Sequence, residues 1–133
     1  MPGAPQQADI NDAEQNKAMG IVAYILFFIP MLTGTHRTSP FVKFHVNQGF
    51  LLFVVSVVYS IISSILRSIV RVPLYYSPYY HSSYYYTPAW LSGILWLISL
   101  PILALCIIGI INAANGKMKP LPVIGTFNFS LVK

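Results

Sequence analysis

Charged side chains are missing from three long stretches of this chain. No Asp, Glu, Lys or Arg occurs between positions 17 and 37, between 43 and 67, or between 71 and 117, and these stretches hold most of the aliphatic residues. A bilayer core about 30 Å thick needs roughly 20 apolar helical residues to cross it, so each stretch can supply one crossing. The pattern predicts an all-α integral membrane protein with three transmembrane helices.

The composition argues against a small soluble domain and against a nucleic-acid-binding role. Of the 133 residues, 56% are hydrophobic and 8% are charged, whereas soluble domains carry about 25% charged residues. The formal net charge is +5, but the basic residues border the apolar stretches, which is typical of membrane-edge anchoring. We therefore expect the lipid bilayer, and no nucleic acid, as a partner.

The first apolar stretch follows a polar N-terminal segment. Residues 1–10 lack hydrophobic periodicity, which predicts a disordered tail. Asn11 and Glu14 have the spacing of a capping box, which predicts that helical order begins there. We expect a first span over residues 16–35, retained rather than cleaved as a signal. Pro30 cannot donate a helical hydrogen bond and predicts a kink in this span.

The second helix is predicted to begin at the pair Ser39-Pro40, in which serine caps the helix and proline occupies its first turn. Its front end, Pro40–Gln48, alternates aromatic and aliphatic residues with polar ones. That mixture is typical of a segment at headgroup depth, so we expect an interfacial helix start. The second span then covers residues 45–67.

The last helix is predicted to begin after the pair Thr87-Pro88. It provides a span over residues 89–115, with a kink at Pro101, whose missing N–H frees a carbonyl at membrane depth. The three spans belong to one membrane domain, residues 11–125. Residues 126–133 alternate apolar and polar side chains, which indicates an interfacial C-terminal tail.

Residues 72–88 also lack charge, but three prolines and seven tyrosines indicate a surface loop rather than a span. Irregular backbone has no hydrogen-bond partners in lipid, whereas phenol rings suit the membrane interface. An alternative is that the loop binds an aromatic ligand, a pigment or a partner surface. The predicted interfacial anchors are Tyr75, Tyr76, Tyr79, Tyr80, Tyr84, Tyr85, Tyr86 and Trp90.

The densest polar cluster lies at the start of the second helix. Asn112 and Asn115, near the end of the last helix, either meet this cluster or hydrogen-bond the end of their own helix. One interpretation is a recognition or gating patch at a membrane mouth, and the other is hydrogen bonding between helices. Small residues at Gly49, Gly109 and Ala113 predict close helix packing beside it. The candidate interaction patch consists of Phe41, Lys43, Phe44, His45, Asn47, Gln48, Gly49, Asn112, Asn115 and Lys119.

Catalytic chemistry is not indicated by the residues present. His36, His45, His81 and Cys106 are the only metal ligands to consider beyond the N-terminal acids, and their wide spacing does not resemble a metal site. No phosphate-binding glycine loop, carboxylate dyad or pair of nucleophile and base occurs. We therefore expect no cofactor, no metal and no enzymatic activity.

The basic residues also bear on orientation. With three spans, Arg37, Lys43, Lys117, Lys119 and Lys133 would lie on one side, and Lys17, Arg67 and Arg71 on the other. The positive-inside rule then favours a multi-pass protein of the cell membrane with the C-terminus and residues 36–43 in the cytoplasm. The N-terminus and the tyrosine-rich loop would lie outside.

Three segments carry a resemblance to a known family: NKAMGIVAYILFFIP, SPFVKFHVNQGFLLF and IIGIINAANGKMKPLPVIG. They resemble a family of small prokaryotic membrane proteins of unknown function, grouped with the twenty-kilodalton inner-envelope component of the chloroplast protein import machinery. The resemblance covers residues 16–125, is most specific at Phe41–Gly49 and Asn112–Pro122, and excludes the tyrosine-rich loop. It implies an all-helical membrane fold and involvement in protein translocation.

Together these observations predict a small non-enzymatic scaffold or accessory subunit of a membrane complex, linked to protein translocation, with other membrane proteins or itself as partners. The alternative is an oligomeric pore or carrier for a small solute, since three apolar helices cannot line an aqueous pore alone. The polar patch discriminates between them. Convergence on a water-filled cavity favours the carrier, and pairing within the protein favours the scaffold.

Overall fold

The computed structural model describes residues 7–79 and 81–124, and the chain is mostly helical. Residues 1–6 of the predicted tail, and the whole interfacial tail predicted for residues 126–133, lie outside the described residues. The elements are α1 (Gln7–Ile25), α2 (Phe28–Leu32), α3 (Thr35–Thr38), α4 (Pro40–Ile69), β1 (Val72–Ser77), β2 (Ser82–Tyr86) and α5 (Ala89–Ala114).

The first helix begins earlier than the capping box predicts. α1 starts at Gln7, so Asn11 lies inside it and does not cap it. The predicted disordered tail is thus helical from its seventh residue onward.

Two helices, α4 and α5, are long and apolar enough to cross a membrane. Their 30 and 26 residues extend about 45 and 39 Å at the helical rise. Their most apolar windows have mean hydropathies of 2.4 and 2.8, yet only 17% and 11% of those windows are buried. A core helix of a soluble domain would be mostly buried, so the exposed aliphatic surface favours a membrane location.

The third predicted span, over residues 16–35, is not confirmed, because an interruption divides it. α1 ends at Ile25, and α2 begins at Phe28. The break begins four residues before Pro30, whose ring excludes the carbonyl of Leu26 and whose nitrogen has no hydrogen to donate to it. By contrast, α5 continues through Pro101 as one helix, and a kink there stays a prediction.

Contacts between helices fix the direction in which α1 runs. The side chain of Asp12 contacts the Phe41 backbone at the start of α4, and Ala23 lies against Gly49, about three turns further along α1 and two turns further along α4. α1 is therefore parallel to α4. Gly116, just beyond the end of α5, lies beside the first half of α1, so α5 is antiparallel to both.

The chain returns from the end of α1 to the start of α4 through α2 and α3. Phe27 marks the turning point, with its ring centroid 5.2 Å from that of Phe50 and 5.1 Å from that of Phe53. On the way back, His36 Nδ1 donates to the Pro30 carbonyl at 3.2 Å. The first apolar stretch thus reaches only partway along α4 and comes back to the same end.

The tyrosine-rich segment forms a β-hairpin, which corrects the prediction of an irregular surface loop and of a purely helical fold. β1 and β2 pair antiparallel, with Val72 opposite Tyr86. A register shift between Pro73 and Tyr75 accommodates the proline, which has no N–H for the ladder. Tyrosine favours strands, and the two strands satisfy each other's backbone groups, which an isolated loop would not.

The core lies where α1, the first half of α4 and the end of α5 meet. Beyond Leu52, the described part of α4 is largely exposed. The protein is therefore a three-helix bundle at one end and a two-helix hairpin at the other. The buried apolar cluster consists of Ala13, Ala23, Tyr24, Phe41, Val42, Val46, Leu51, Leu52, Ala113, Leu121 and Ile124.

Candidate functional site

The predicted patch begins at the N-terminus of α4, where side chains accept hydrogen bonds from free amides. Ser39 Oγ accepts from Val42 N–H at 3.1 Å, as the Ser39-Pro40 pair predicts. Asp12 Oδ2, on α1, accepts from Phe41 N–H at 3.2 Å. A carboxylate is favourable at this end because of the helix dipole. α1 thus caps α4 as well as packing against it.

His45 is fully buried and uses both ring nitrogens within the protein. Its Nε2 lies 2.9 Å from the carbonyl oxygen of Lys117, and its Nδ1 lies 2.9 Å from the hydroxyl of Tyr24. Because a carbonyl only accepts, Nε2 carries the hydrogen and Nδ1 accepts from the tyrosine. The rings of Phe41 and Phe44 pack on the imidazole, with their centroids 4.5 and 5.2 Å from its centroid.

The turn at the end of α5 presents the Lys117 carbonyl to His45. Gly116 adopts the left-handed conformation, with φ of 68°. Lys117 N–H donates to the Asn112 carbonyl at 2.8 Å, and Gly116 N–H donates to the Ala113 carbonyl at 3.1 Å. These two bonds form a Schellman motif, which ends the helix and reverses the chain. The residues that follow therefore lie back against α4.

Gln48 holds this returning stretch, residues 117–124, which we call the C-terminal segment. Its Oε1 accepts from Leu121 N–H at 3.0 Å. The side chains of Leu121 and Ile124 are buried in the core. His45 and Gln48 lie three residues apart and so share a face of α4. Both of these polar side chains therefore serve to fasten the C-terminal segment to the bundle.

The predicted packing residues lie at close contacts between helices. A methyl carbon added to Gly49 would lie 2.8 Å from the Ala23 carbonyl carbon and closer still to its oxygen. One added to Gly109 would lie 2.6 Å from Cδ1 of the Tyr24 ring. Ala113 is fully buried. Small residues thus let α4 and α5 approach α1 closely enough for the Tyr24 hydroxyl to reach His45.

The structure brings together only part of the candidate interaction patch. Phe41, Phe44, His45, Gln48 and Gly49 converge on α1 and the C-terminal segment. The remaining members differ in their exposure. Lys43, Asn47 and Asn112 are half-buried, and Asn115 and Lys119 are exposed.

The sequence does not predict three residues of the cluster. Tyr24 is the one tyrosine of the first apolar stretch. Its hydroxyl needs a hydrogen-bond partner there, but the sequence does not identify that partner. Asp12 was seen only as part of the N-terminal acidic group. Leu121 lies between two prolines, where no periodicity marks it as a core residue.

A second feature is a groove between α4 and α5 at the end of α1, whose last turn forms part of its wall. Its volume is about 420 Å³, and its walls are mostly apolar, with five residues that carry a hydroxyl group. Tyr59 donates to the Leu95 carbonyl at 2.6 Å, Ser56 to the Leu52 carbonyl at 2.9 Å, and Ser99 to the Trp96 carbonyl at 2.6 Å. The lining residues are Ala23, Tyr24, Ile25, Phe27, Gly49, Leu52, Phe53, Ser56, Tyr59, Ser60, Ser99, Ile102, Leu103 and Cys106.

The predicted interfacial anchors lie at the opposite end from the cluster, on the hairpin and at the start of α5. The Tyr80 position and the Tyr75 side chain lie outside the described part of the chain. Trp90, in the first turn of α5, is 62% exposed. The exposed hairpin tyrosines are Tyr76, Tyr79, Tyr84, Tyr85 and Tyr86.

The residues considered as metal ligands have other contacts. His81 Nδ1 lies 3.4 Å from the Tyr76 hydroxyl, and Cys106 Sγ donates to the Tyr24 carbonyl at 3.9 Å. Within residues 7–79 and 81–124, no three His, Cys, Asp or Glu side chains lie close enough to hold a metal ion. The described clusters are therefore arranged for packing and hydrogen bonding.

Comparisons of this chain with protein-family models, with curated proteins and with solved structures find no match.

Proposed function

We propose that this chain is a small non-enzymatic membrane protein that acts as a scaffold or accessory subunit of a membrane complex. The observation that carries the proposal is the hydrogen bonding of the polar patch within the protein. His45 and Gln48 form hydrogen bonds with Tyr24 and with the C-terminal segment. Polar side chains that pair within the bundle support a scaffold more than the alternative, a pore or carrier.

In the membrane, we propose two spans, α4 and α5, and a re-entrant hairpin made by α1, α2 and α3. The parallel packing of α1 on α4 supports this arrangement, because it brings the N-terminus to the side where α4 begins. Lys17 then joins Arg37, Lys43, Lys117 and Lys119, which leaves Arg67 and Arg71 on the other side. Among the described residues, this bias of five basic residues to two favours a cytoplasmic N-terminus and a β-hairpin on the outside.

Cysteine accessibility tests this topology against the three-span alternative. In a Cys106→Ala background, single cysteines at Gln15, Ser83 and Lys119, all exposed positions, are labelled in sealed vesicles with an impermeant maleimide. We expect positions 15 and 119 to react from the same side and position 83 from the other. Labelling of positions 15 and 83 from the same side would instead establish three spans.

The proposed contact with the complex is the groove between α4 and α5. α1 covers only one half of the α4–α5 pair, so the other half has no third helix from the described chain. Ser56, Ser60 and Ser99 are small enough for a partner backbone to approach closely, and their oxygens keep lone pairs that accept hydrogen bonds. The groove has no charged lining residue. We therefore propose an uncharged transmembrane helix of a partner subunit as its occupant.

Site-specific photo-crosslinking in native membranes tests the groove. A photoreactive residue replaces Phe53 or Leu103, which line the groove and are 49% and 57% exposed. The matched controls are Val58 and Leu97, which are 50% and 59% exposed and lie outside it. We expect one discrete protein adduct from the groove positions and only lipid adducts from the controls. Lipid adducts at all four positions would contradict the scaffold proposal.

The identity of the adduct separates the remaining possibilities. A subunit of a protein-translocation complex would support the link that the resemblance at Phe41–Gly49 suggests. A partner of another kind would remove that link and leave the scaffold role standing. An adduct with a second copy of the chain, together with solute flux in vesicles, would establish the pore or carrier alternative.

A further inference from the structure

A second cavity lies at the end of the molecule that carries the hairpin. Its volume is about 300 Å³, and it is lined by Arg67, Ser68, Arg71, Tyr85, Tyr86 and Thr87. Arg67 belongs to the last turn of α4, and Arg71 follows that helix directly. The aromatic residues come from the end of β2, and Thr87 leads into α5. The ends of three elements thus form an open cleft that two exposed arginines line.

The positive charge of this cavity has no acidic side chain nearby among the residues that the structure describes. The only Asp and Glu residues of the chain are at positions 9, 12 and 14, all on α1. Asp12 contacts the start of α4, which lies about 45 Å from its end. Glu14 pairs with Lys17 at 2.8 Å. The carboxylates of Asp12 and Glu14 are therefore at the far end of the bundle from the cavity that Arg67 and Arg71 line.

The other groups around the cavity also suit an anion. Tyrosine, serine and threonine hydroxyls line it alongside the guanidinium groups, which only donate hydrogen bonds. α5 begins two residues after Thr87, with no acidic residue in its first turn and no side-chain cap. The positive end of a 26-residue helix therefore lies close to the cavity and adds to the attraction for negative charge.

The depth of the cavity identifies the kind of anion. The exposed tyrosines of the hairpin and the exposed Trp90 form an aromatic group at the same end, as at a membrane interface. Phosphate groups lie at that depth, and arginine binds phosphate oxygens with paired hydrogen bonds. We propose that this cavity binds a phosphate group, which at that depth belongs to the headgroup of an anionic phospholipid. The proposal rests on the membrane location proposed above.

The variant that tests the site is Arg67→Gln with Arg71→Gln in the full chain. Its matched control is Lys117→Gln with Lys119→Gln, which removes the same charge from exposed positions at the other end. Each protein is reconstituted into nanodiscs containing phosphatidylcholine with a minor fraction of phosphatidylglycerol, and retained lipid is counted by native mass spectrometry. We expect the arginine variant to retain roughly tenfold less phosphatidylglycerol, and the lysine control to match the wild type.

Further arms separate the source of the phosphate and the failure of each proposal. Inorganic phosphate is titrated into phosphatidylcholine nanodiscs that hold a Trp96→Phe protein, and binding is followed by the fluorescence of Trp90, three residues after Thr87. A response that the arginine variant abolishes would assign the site to phosphate from solvent. An equal loss of phosphatidylglycerol in both variants, or no selective binding of either ligand, would overturn the site. Failure of the wild type to insert into nanodiscs would overturn the membrane location itself.

Discussion

Replacing Gly49 with alanine is expected to separate α1 from α4. The added methyl carbon would lie 2.8 Å from the carbonyl carbon of Ala23, and closer still to its oxygen. Real Cβ atoms essentially never approach other heavy atoms to within 3.0 Å. The obstacle is helix backbone, which cannot rotate away as a side chain can. The two helices must therefore move apart by roughly 1 Å, as in an overpacked core.

Two costs follow from that movement. Overpacking typically destabilises a protein by about 1–3 kcal/mol. The same displacement lengthens the bond of 2.9 Å between Tyr24 and His45, which joins these two helices one turn away. Leaving that buried pair unsatisfied costs about 1–3 kcal/mol more. Alanine recovers up to about 1 kcal/mol of helix propensity relative to glycine. The free energy of unfolding should therefore fall by about 2–4 kcal/mol.

The assay is reversible unfolding in mixed micelles with increasing SDS, followed by tryptophan fluorescence. Gly93→Ala is the matched control, because it lies in α5 with no heavy atom within 4 Å of the added carbon. Helix propensity alone should stabilise that variant by about 0.5–1 kcal/mol. The expected order of stability is Gly93→Ala, wild type, Gly49→Ala. A Gly49→Ala protein as stable as the wild type would refute the close contact.

Three further substitutions test other contacts of the bundle. His45→Phe leaves the Tyr24 hydroxyl and the Lys117 carbonyl without their partner, so the free energy of unfolding should fall by about 2–4 kcal/mol. Trypsin should also cut the C-terminal segment faster. Unchanged digestion would contradict the role of His45 in fastening that segment. Asp12→Ala should destabilise by about 1 kcal/mol through the lost cap of α4, whereas Glu14→Ala, at an exposed ion pair, should change stability by less than about 0.5 kcal/mol. Equal effects would mean that the cap contributes nothing. Ser63 is buried, and its hydroxyl has no partner among the described residues. Ser63→Ala should therefore be neutral or stabilise by up to about 1 kcal/mol, and a larger loss of stability would reveal a hidden partner.

Local chemistry made the start of α4 and the end of α5 predictable. Ser39 and Pro40 act within a single turn, so their effect on the backbone needs no distant contact. Gly116 likewise reverses the chain by its own left-handed conformation. The polar patch was found because polar residues at the edge of an apolar run need partners. Its partners, Tyr24 and the C-terminal segment, lie 21 and 72 residues from His45 and could not be read from the pattern.

Proline affects the helix differently at its two positions in the apolar stretches. Pro30 and Pro101 both remove a hydrogen bond from an apolar stretch, and the sequence analysis predicted a kink for each. The chain breaks before Pro30, in a short stretch that turns back on itself, whereas α5 continues past Pro101. Whether a proline interrupts a helix depends on whether neighbouring helices hold both halves in line, and spacing alone does not contain that information.

The sequence by itself determined that two long apolar helices form, and where α4 begins and α5 ends, because charge, hydropathy and capping act over short distances. Only the tertiary structure decided that the first apolar stretch folds back parallel to α4, that the tyrosines pair as a hairpin, and that His45 and Gln48 fasten the C-terminal segment. Those outcomes depend on contacts such as that of Gly49 with Ala23. Contacts between residues far apart in the chain leave no period in the sequence.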